Sequence, residues 1–296
     1  MDELLLKTSR TFALAIPLLP PPTREATSLA YLLFRVTDTL EDAELWSRDT
    51  RLAALEDLGG LLSSAPGEAA HTRAVGLSRA WLAAPPSRDT GCLELLSALP
   101  ALFDELHRQS PAARRIILAH GARTAAGMHA TLARADERGH FELRSLAELR
   151  EYCYIVAGIV GELLTELFLL GAPELEKERA TLVEHQVFFG EGLQLVNILK
   201  DETRDTTDGR AYLPGGVSRA EVVALARKDL GRARVYIEAL DRGGAPRGFV
   251  AFTTLSADLA DAALDRLEVD GAGAKISRSA VMQMFERVQG LASPPR

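Results

Sequence analysis

Two stretches of this 296-residue chain set carboxylates at helical spacing within apolar surroundings. The first reads Tyr31-Leu-Leu-Phe-Arg35-Val-Thr-Asp38-Thr-Leu-Glu41-Asp42. Asp38 and Asp42 are four residues apart, so a helix puts them on one face, about 40° from eclipsed. Arg35 precedes Asp38 by one turn, and Tyr31 comes one turn earlier. Leu29, Ala30, Leu32, Leu33, Phe34 and Val36 make this helix apolar almost all the way round. Such a helix is buried, and its carboxylates must be paired or bind a metal. An ion pair between Arg35 and one carboxylate is the simpler reading.

The second stretch runs from Phe188 to Asp205. Gln194, Asn197, Asp201 and Asp205 step by three, four and four, drawing a polar stripe on a helix whose other faces carry Leu193, Leu195, Val196, Ile198 and Leu199. A polar stripe inside an apolar helix needs a polar partner. Helix-end capping by the amides and an arginine paired to Asp201 would supply one. Together the two stripes suggest more. Carboxylate and amide oxygens suit Mg²⁺, which keeps several waters and bridges protein carboxylates to substrate phosphates. Two such helices facing each other are expected to hold Mg²⁺ over a diphosphate ester, with Arg35 sharing the charge. Ionisation to an allylic cation is then favoured, provided the rest of the cavity is apolar and dry.

The elements that must position these residues are helices. Apolar residues recur at helical spacing, and alternating strand patterns are scarce. The pattern predicts helices over 2–16, 23–46, 49–63, 68–83, 92–107, 112–136, 146–171, 175–204, 219–241, 246–268 and 277–289. Pro20–Pro22, Pro66-Gly67, Pro85-Pro86, Gly171-Ala-Pro173, Pro214-Gly-Gly216 and Gly243-Gly244 punctuate them. No long linker and no fixed-period repeat interrupts the chain, so a single all-α domain over 1–296 is expected. Bundles of this kind carry their sites on inward-pointing side chains.

Composition excludes several classes. With 47% apolar residues, 25% charged residues and a net charge of −7, the chain is neither disordered nor a general nucleic-acid binder. Two cysteines, Cys92 and Cys153, make no CxxC pair and fit a reducing compartment. The six histidines show no metal-ligand spacing. The start lacks a secretory cleavage pattern, and Ile155–Gly171, carrying Glu162, Thr165 and Glu166, falls short of an uninterrupted membrane span. A cytoplasmic protein is expected, with transient contact at the inner membrane face and no anchor.

At these motifs the sequence resembles the squalene/phytoene synthase family of head-to-head prenyltransferases. Thr8-Ser9-Arg10-Thr11-Phe12 is similar to its SRxF element, and Arg35 to Asp42 to its first aspartate motif. Tyr152-Cys-Tyr-Ile-Val-Ala-Gly158-Ile-Val-Gly161 resembles its YCxxVAGxVG segment, and Gln194 to Asp205 its second aspartate motif. Gly209-Arg210-Ala-Tyr212-Leu-Pro214 is similar to its GRxYLP turn and Lys275-Ile-Ser-Arg278 to its late KxxR element. Six motifs in family order cover most of the chain.

The resemblance implies an isoprenoid-synthase-type helical bundle around a central apolar cavity. It implies Asp38, Asp42, Asp201 and Asp205 as Mg²⁺ ligands, assisted by Asn197 and Gln194. Ser9, Arg10, Thr11 and Arg35 would cradle the prenyl diphosphates, and Arg210 would close over them. Tyr31 and Tyr152 would point into the cavity, where a phenol can donate to departing diphosphate and shuttle its proton. A tyrosine simply hydrogen-bonded in a helix interface is the plainer account of Tyr152. Val156, Ala157, Gly158 and Gly161 are small enough to leave room for a prenyl tail, or equally for close helix packing. Cys153, with no adjacent histidine, is a packing residue.

The sequence departs from the pattern at Arg204, where many relatives carry an acid, and at Thr11, which keeps the hydroxyl of a serine. Arg204 is about 100° from Asp205 and is expected to point away from the metal face. The implied reaction is condensation of two farnesyl diphosphates through presqualene diphosphate to squalene, with NADPH meeting Lys275 and Arg278. The alternatives are phytoene from two C20 substrates without reductant, arrest at presqualene diphosphate, dehydrosqualene or hydroxysqualene, cyclisation of one prenyl diphosphate, and a non-catalytic binding homologue. No glycine-rich dinucleotide fingerprint follows a strand.

Overall fold

The structure is a computed structural model that describes residues 1–9, 12–65, 67–137, 140–207 and 209–292. In chain order its helices are α1 (Asp2–Thr8), α2 (Phe12–Ala15), α3 (Thr23–Glu41), α4 (Arg48–Leu62), α5 (Glu68–Ala83), α6 (Thr90–Ser97), α7 (Leu99–Arg108) and α8 (Pro111–Leu132). After the two-residue strand β1 (Phe141–Glu142) come α9 (Leu146–Cys153), a π-helical turn (Tyr154–Gly158), α10 (Ile159–Gly171) and α11 (Arg179–Thr207). Strand β2 (Arg210–Ala211), α12 (Arg219–Gly243), α13 (Arg247–Asp270) and α14 (Arg278–Ala292) complete the chain. The chain is all-α, as its periodicity requires; β1 and β2 form only a short parallel pair.

Two compact units emerge. The first comprises Met1–Ala13 and Glu25–Gly139; in it α4 packs on α8, α5 on α7, and α1 on α6. Ser47, Asp89 and Ser110 cap α4, α6 and α8 by accepting the amides of Thr50, Cys92 and Ala113. Within α3, Leu29, Leu32, Leu33, Val36 and Leu40 are buried, as expected of its apolar faces.

The second unit comprises Leu14–Arg24 and His140–Arg296, and is built around α11, which packs against α10, α12 and α13. Phe168 stacks on Phe249 at 4.3 Å, and Tyr236 donates or accepts a 2.9 Å bond with Thr165 in the core. Here α9, the π turn and α10 form one run, Leu146–Gly171, of 26 residues. These are the bounds that the periodicity predicts for the helix over 146–171. The whole run is long and apolar enough to cross a membrane by length and composition, with 56% of its apolar window buried in the structure.

Several boundaries differ from the periodicity, each for a local reason. The 2–16 helix breaks at Ser9, which is extended at φ −145°. The 92–107 helix divides at Ala98, because Pro100 has no amide to continue α6 and instead opens α7. Helix α3 stops at Glu41 rather than at 46, so Asp42 lies just past its end, its amide still bonded to the Asp38 carbonyl at 2.8 Å.

Candidate active site

In the first unit, the predicted site residues Tyr31, Arg35 and Asp38 share one stripe of α3. Between Ala26 and Glu41, every side chain is buried except Tyr31, Arg35 and Asp38. Asp42 continues the stripe and is exposed. Leucines and Val36 bury the remaining faces, so the opening follows the spacing in the sequence. Arg35 Nη1 lies 3.5 Å from Asp38 Oδ2. Loss of solvation and the neighbouring Asp42 carboxylate nevertheless push the Asp38 carboxyl up to about 6, against the pull of Arg35.

Tyr31 and the N-terminal motif meet in the same unit. The Tyr31 hydroxyl donates to the Thr8 carbonyl at 3.2 Å and is also hydrogen-bonded by Ser9; burial still holds its pKa above the usual phenol value. Its ring lies 5.3 Å from that of Phe12. Ser9 Oγ accepts the Phe12 amide at 2.9 Å. Arg10 and Thr11 lie outside the described residues.

In the second unit the polar stripe of α11 is likewise open. Asn197 is exposed and Gln194, Asp201 and Asp205 are half-buried, while Leu195, Val196, Ile198 and Leu199 are buried. Lys200, which sequence reasoning missed, donates to Asn197 Oδ1 at 3.0 Å and lies 3.3 Å from Asp201. Its signal was present as a cation three residues after Asn197. Arg204 is exposed. The Gly273 amide donates to the Lys200 carbonyl at 3.0 Å, which brings the turn before Lys275 and Arg278 to this helix; both side chains are exposed.

Tyr152 is buried and stacks on Tyr212 at 4.7 Å, with Phe141 6.3 Å away. The aromatic cluster joins the central tyrosine motif to the turn containing Arg210, because β2 pairs Arg210 with Phe141. Arg210 itself is half-buried. Phe141 had no signal beyond an isolated aromatic. Cys153 is buried, and burial pushes its thiol up, as suits a packing residue. Gly158 and Gly161 serve close packing against α11, while Tyr154, Ile155, Val156 and Ala157 remain half-buried.

Among the described residues, no group of three or more His, Cys, Asp or Glu is arranged to hold a metal. Mg²⁺ requires no such group, since it takes one or two carboxylates and completes its shell with water and phosphate oxygens. Asp38, whose carboxyl is raised by loss of solvation, is a candidate oxygen ligand for such an ion.

The family model for squalene/phytoene synthase matches residues 5–220. Among curated relatives, squalene synthase of Yarrowia lipolytica is 30% identical over 214 residues, covering 72% of this chain and 44% of that protein. Squalene synthase ERG9 of Saccharomyces cerevisiae is 28% identical over 215 residues, covering 72% and 44%. The chain thus matches less than half the length of these relatives. Among solved structures, TcSQS with the ligand BPH1237 superposes with a TM-score of 0.73 at 22% identity, covering 97% of this chain and 84% of the other. A dehydrosqualene synthase with a ligand gives 0.61 at 21% identity, covering 98% and 94%. These two structures share its fold.

Proposed function

Because the chain belongs to the squalene/phytoene synthase family, we propose that it is a head-to-head prenyltransferase that condenses two farnesyl diphosphates through presqualene diphosphate to squalene. The observation that supports this most is the stripe on α3. A helix with every other side chain from Ala26 to Glu41 buried leaves open a phenol, a guanidinium and a carboxylate. That set suits a charged, leaving diphosphate.

In this reading Asp38 and Asp42 of the first unit would hold Mg²⁺, and so would Asn197, Asp201 and Asp205 of the second. Bound Mg²⁺ would neutralise charge on the departing diphosphate. Arg35 binds and orients diphosphate oxygens, with Ser9 and Arg210 adding donors. Lys200 is poised on Asn197 and Asp201 to exchange those contacts for a phosphate oxygen. Tyr31 and Tyr152 donate hydrogen bonds, and Tyr152 handles the proton at its phenol oxygen. Tyr154 to Ala157 offer apolar surface to a prenyl tail and help exclude water from the cation. Lys275 and Arg278 would hold the phosphate of NADPH, which would supply hydride when bound. The lipid-like substrate and product fit transient contact of a cytoplasmic protein with a membrane surface.

Tyr152→Phe separates the proton role from packing. The ring and its stack on Tyr212 remain, so the loss of stability stays below about 1.5 kcal/mol, the size of one hydrogen bond. Turnover falls at least about a hundredfold, the range of a lost general acid or base. Matched thermal melts and initial rates measure both; an unchanged rate would leave Tyr152 a packing residue.

Product analysis by gas chromatography–mass spectrometry tests the function itself. Protein with Mg²⁺ is given farnesyl or geranylgeranyl diphosphate, with and without NADPH. Squalene only from the C15 substrate with NADPH is expected. Phytoene from the C20 substrate without reductant would overturn the substrate and the cofactor, and no C30 or C40 product would overturn the reaction.

A further inference from the structure

Away from both acidic stripes, the second unit buries two carboxylates around one guanidinium. Glu191 of α11 is 4% exposed and Asp229 of α12 is 1% exposed. Arg150 of α9 reaches both: its Nη2 donates to Glu191 Oε2 at 2.9 Å, and its Nη1 lies 3.5 Å from Asp229 Oδ2. Its guanidinium also lies 5.8 Å from the Phe188 ring centroid, over which Arg232 sits at 4.1 Å. Lone buried carboxylates are strongly disfavoured, and Glu191 holds Arg150 by a hydrogen bond while Asp229 holds it by charge alone, neither of its buried oxygens having a hydrogen-bond partner. A planar guanidinium binding in two directions fixes orientation as well as distance, which an ammonium cannot do.

The placement of this fork gives it a use. Arg150 lies two residues before Tyr152 and just ahead of the π turn Tyr154–Gly158. Glu191 lies one helical turn before Gln194, at the start of the second polar stripe. Asp229 ties both helices to α12. We infer that Arg150 is a positioning residue, whose clamp on Glu191 and Asp229 sets the turn carrying Tyr152 against the helix carrying Gln194, Asn197 and Asp201. Given the prenyltransferase reading above, releasing the clamp slows the chemical step more than it weakens substrate binding.

The groups facing the clamp are Arg150 and Cys153 from α9, Glu191 from α11, and Asp229, Arg232 and Lys228 from α12. Burial and then the neighbouring Asp229 carboxylate push Glu191 up to about 7, and burial raises Asp229; Arg150 opposes both shifts, joined at Asp229 by Arg232 and Lys228. As pH falls through about 7, Glu191 takes up a proton and releases Arg150, so kcat declines on that limb.

The test combines steady-state kinetics on farnesyl diphosphate with hydrogen–deuterium exchange of the whole protein. In Arg150→Met, kcat should fall about thirtyfold, in the range of a small misplacement, while KM should stay within about threefold. Exchange should quicken in peptides covering 150–158 and 191–201 and stay unchanged in residues 25–137. Glu191→Gln, close in shape and able to fold if Arg150→Met does not, should lose the acidic limb near pH 7. Unchanged exchange in those peptides, exchange rising evenly along the chain, a loss confined to KM, or an acidic limb of Glu191→Gln that stays near pH 7 instead of moving down toward the Asp38 value of about 6 would each overturn the inference. If the wild-type protein turns over no prenyl diphosphate, the prenyltransferase reading fails, and the exchange pattern still decides whether Arg150 couples the two helices.

Discussion

Asp38→Asn and Asp201→Asn are each expected to lower turnover at least about a thousandfold while the protein stays folded. Both side chains are part-exposed, at 36% and 46%, so the amide leaves no cavity and strands no buried partner. The competing account makes Asp38 only a mate for Arg35. An i,i+3 pair at 3.5 Å near the surface is worth no more than about 0.5 kcal/mol. That account therefore expects a slight fall in melting temperature and a normal rate. The metal account expects the reverse, because the amide removes a ligand oxygen for the ion while the lost pair with Arg35 carries little stability. A second measurement distinguishes them without turnover. Mg²⁺ with a non-hydrolysable prenyl diphosphate analogue at about one hundred times its Kd stabilises the wild-type protein by about 2.7 kcal/mol. For a protein of this size that is a rise of roughly 4 °C. The rise should vanish in both variants. A variant that keeps its rate, or keeps the full shift, removes that aspartate from the metal site.

What was legible in the sequence is what one helix can encode by itself. The α3 stripe was readable because Leu29, Leu32, Leu33 and Val36 define the buried faces, leaving Tyr31, Arg35 and Asp38 as the remainder. The α11 stripe was readable for the same reason. What could not be read depends on pairs distant in the chain. Arg150, Glu191 and Asp229 carry no shared spacing, and only the packing of three helices joins them. The stack of Tyr152 on Tyr212 likewise depends on the β1–β2 pairing, and two-residue strands are too short to show alternation. The π turn at Tyr154–Gly158 adds a residue to a helical turn without changing the apolar count, so periodicity passes over it.

That turn also decides between the two roles open to the small residues, and Gly190→Ala shows how. A Cβ at Gly190 would stand 1.9 Å from the Ala157 carbonyl oxygen and 2.5 Å from its carbon. One at Gly161 would stand 2.0 Å from the Gln186 carbonyl oxygen. Both obstacles are backbone, so no side-chain rotation relieves them; α11 must move away from the turn and from α10. Overpacking of this kind costs about 3 kcal/mol or more. The melting temperature of Gly190→Ala should therefore fall by roughly 5 °C or more, at about 1.6 °C per kcal/mol for a chain of this length. Gly231→Ala on α12 is the control. Its Cβ would meet nothing within 4 Å, and removing a mid-helix glycine should stabilise by about 0.5–1 kcal/mol. Were Gly158, Gly161 and Gly190 there to leave space for a prenyl tail, Gly190→Ala would melt normally and shift the substrate toward shorter chains. Melts of the two alanine variants, with the C15:C20 rate ratio, separate these outcomes. A stable Gly190→Ala with an altered ratio would assign the glycines to the cavity. A large destabilisation beside a stabilised Gly231→Ala assigns them to the helix contact and leaves Tyr154 to Ala157 as the apolar surface offered to the tail.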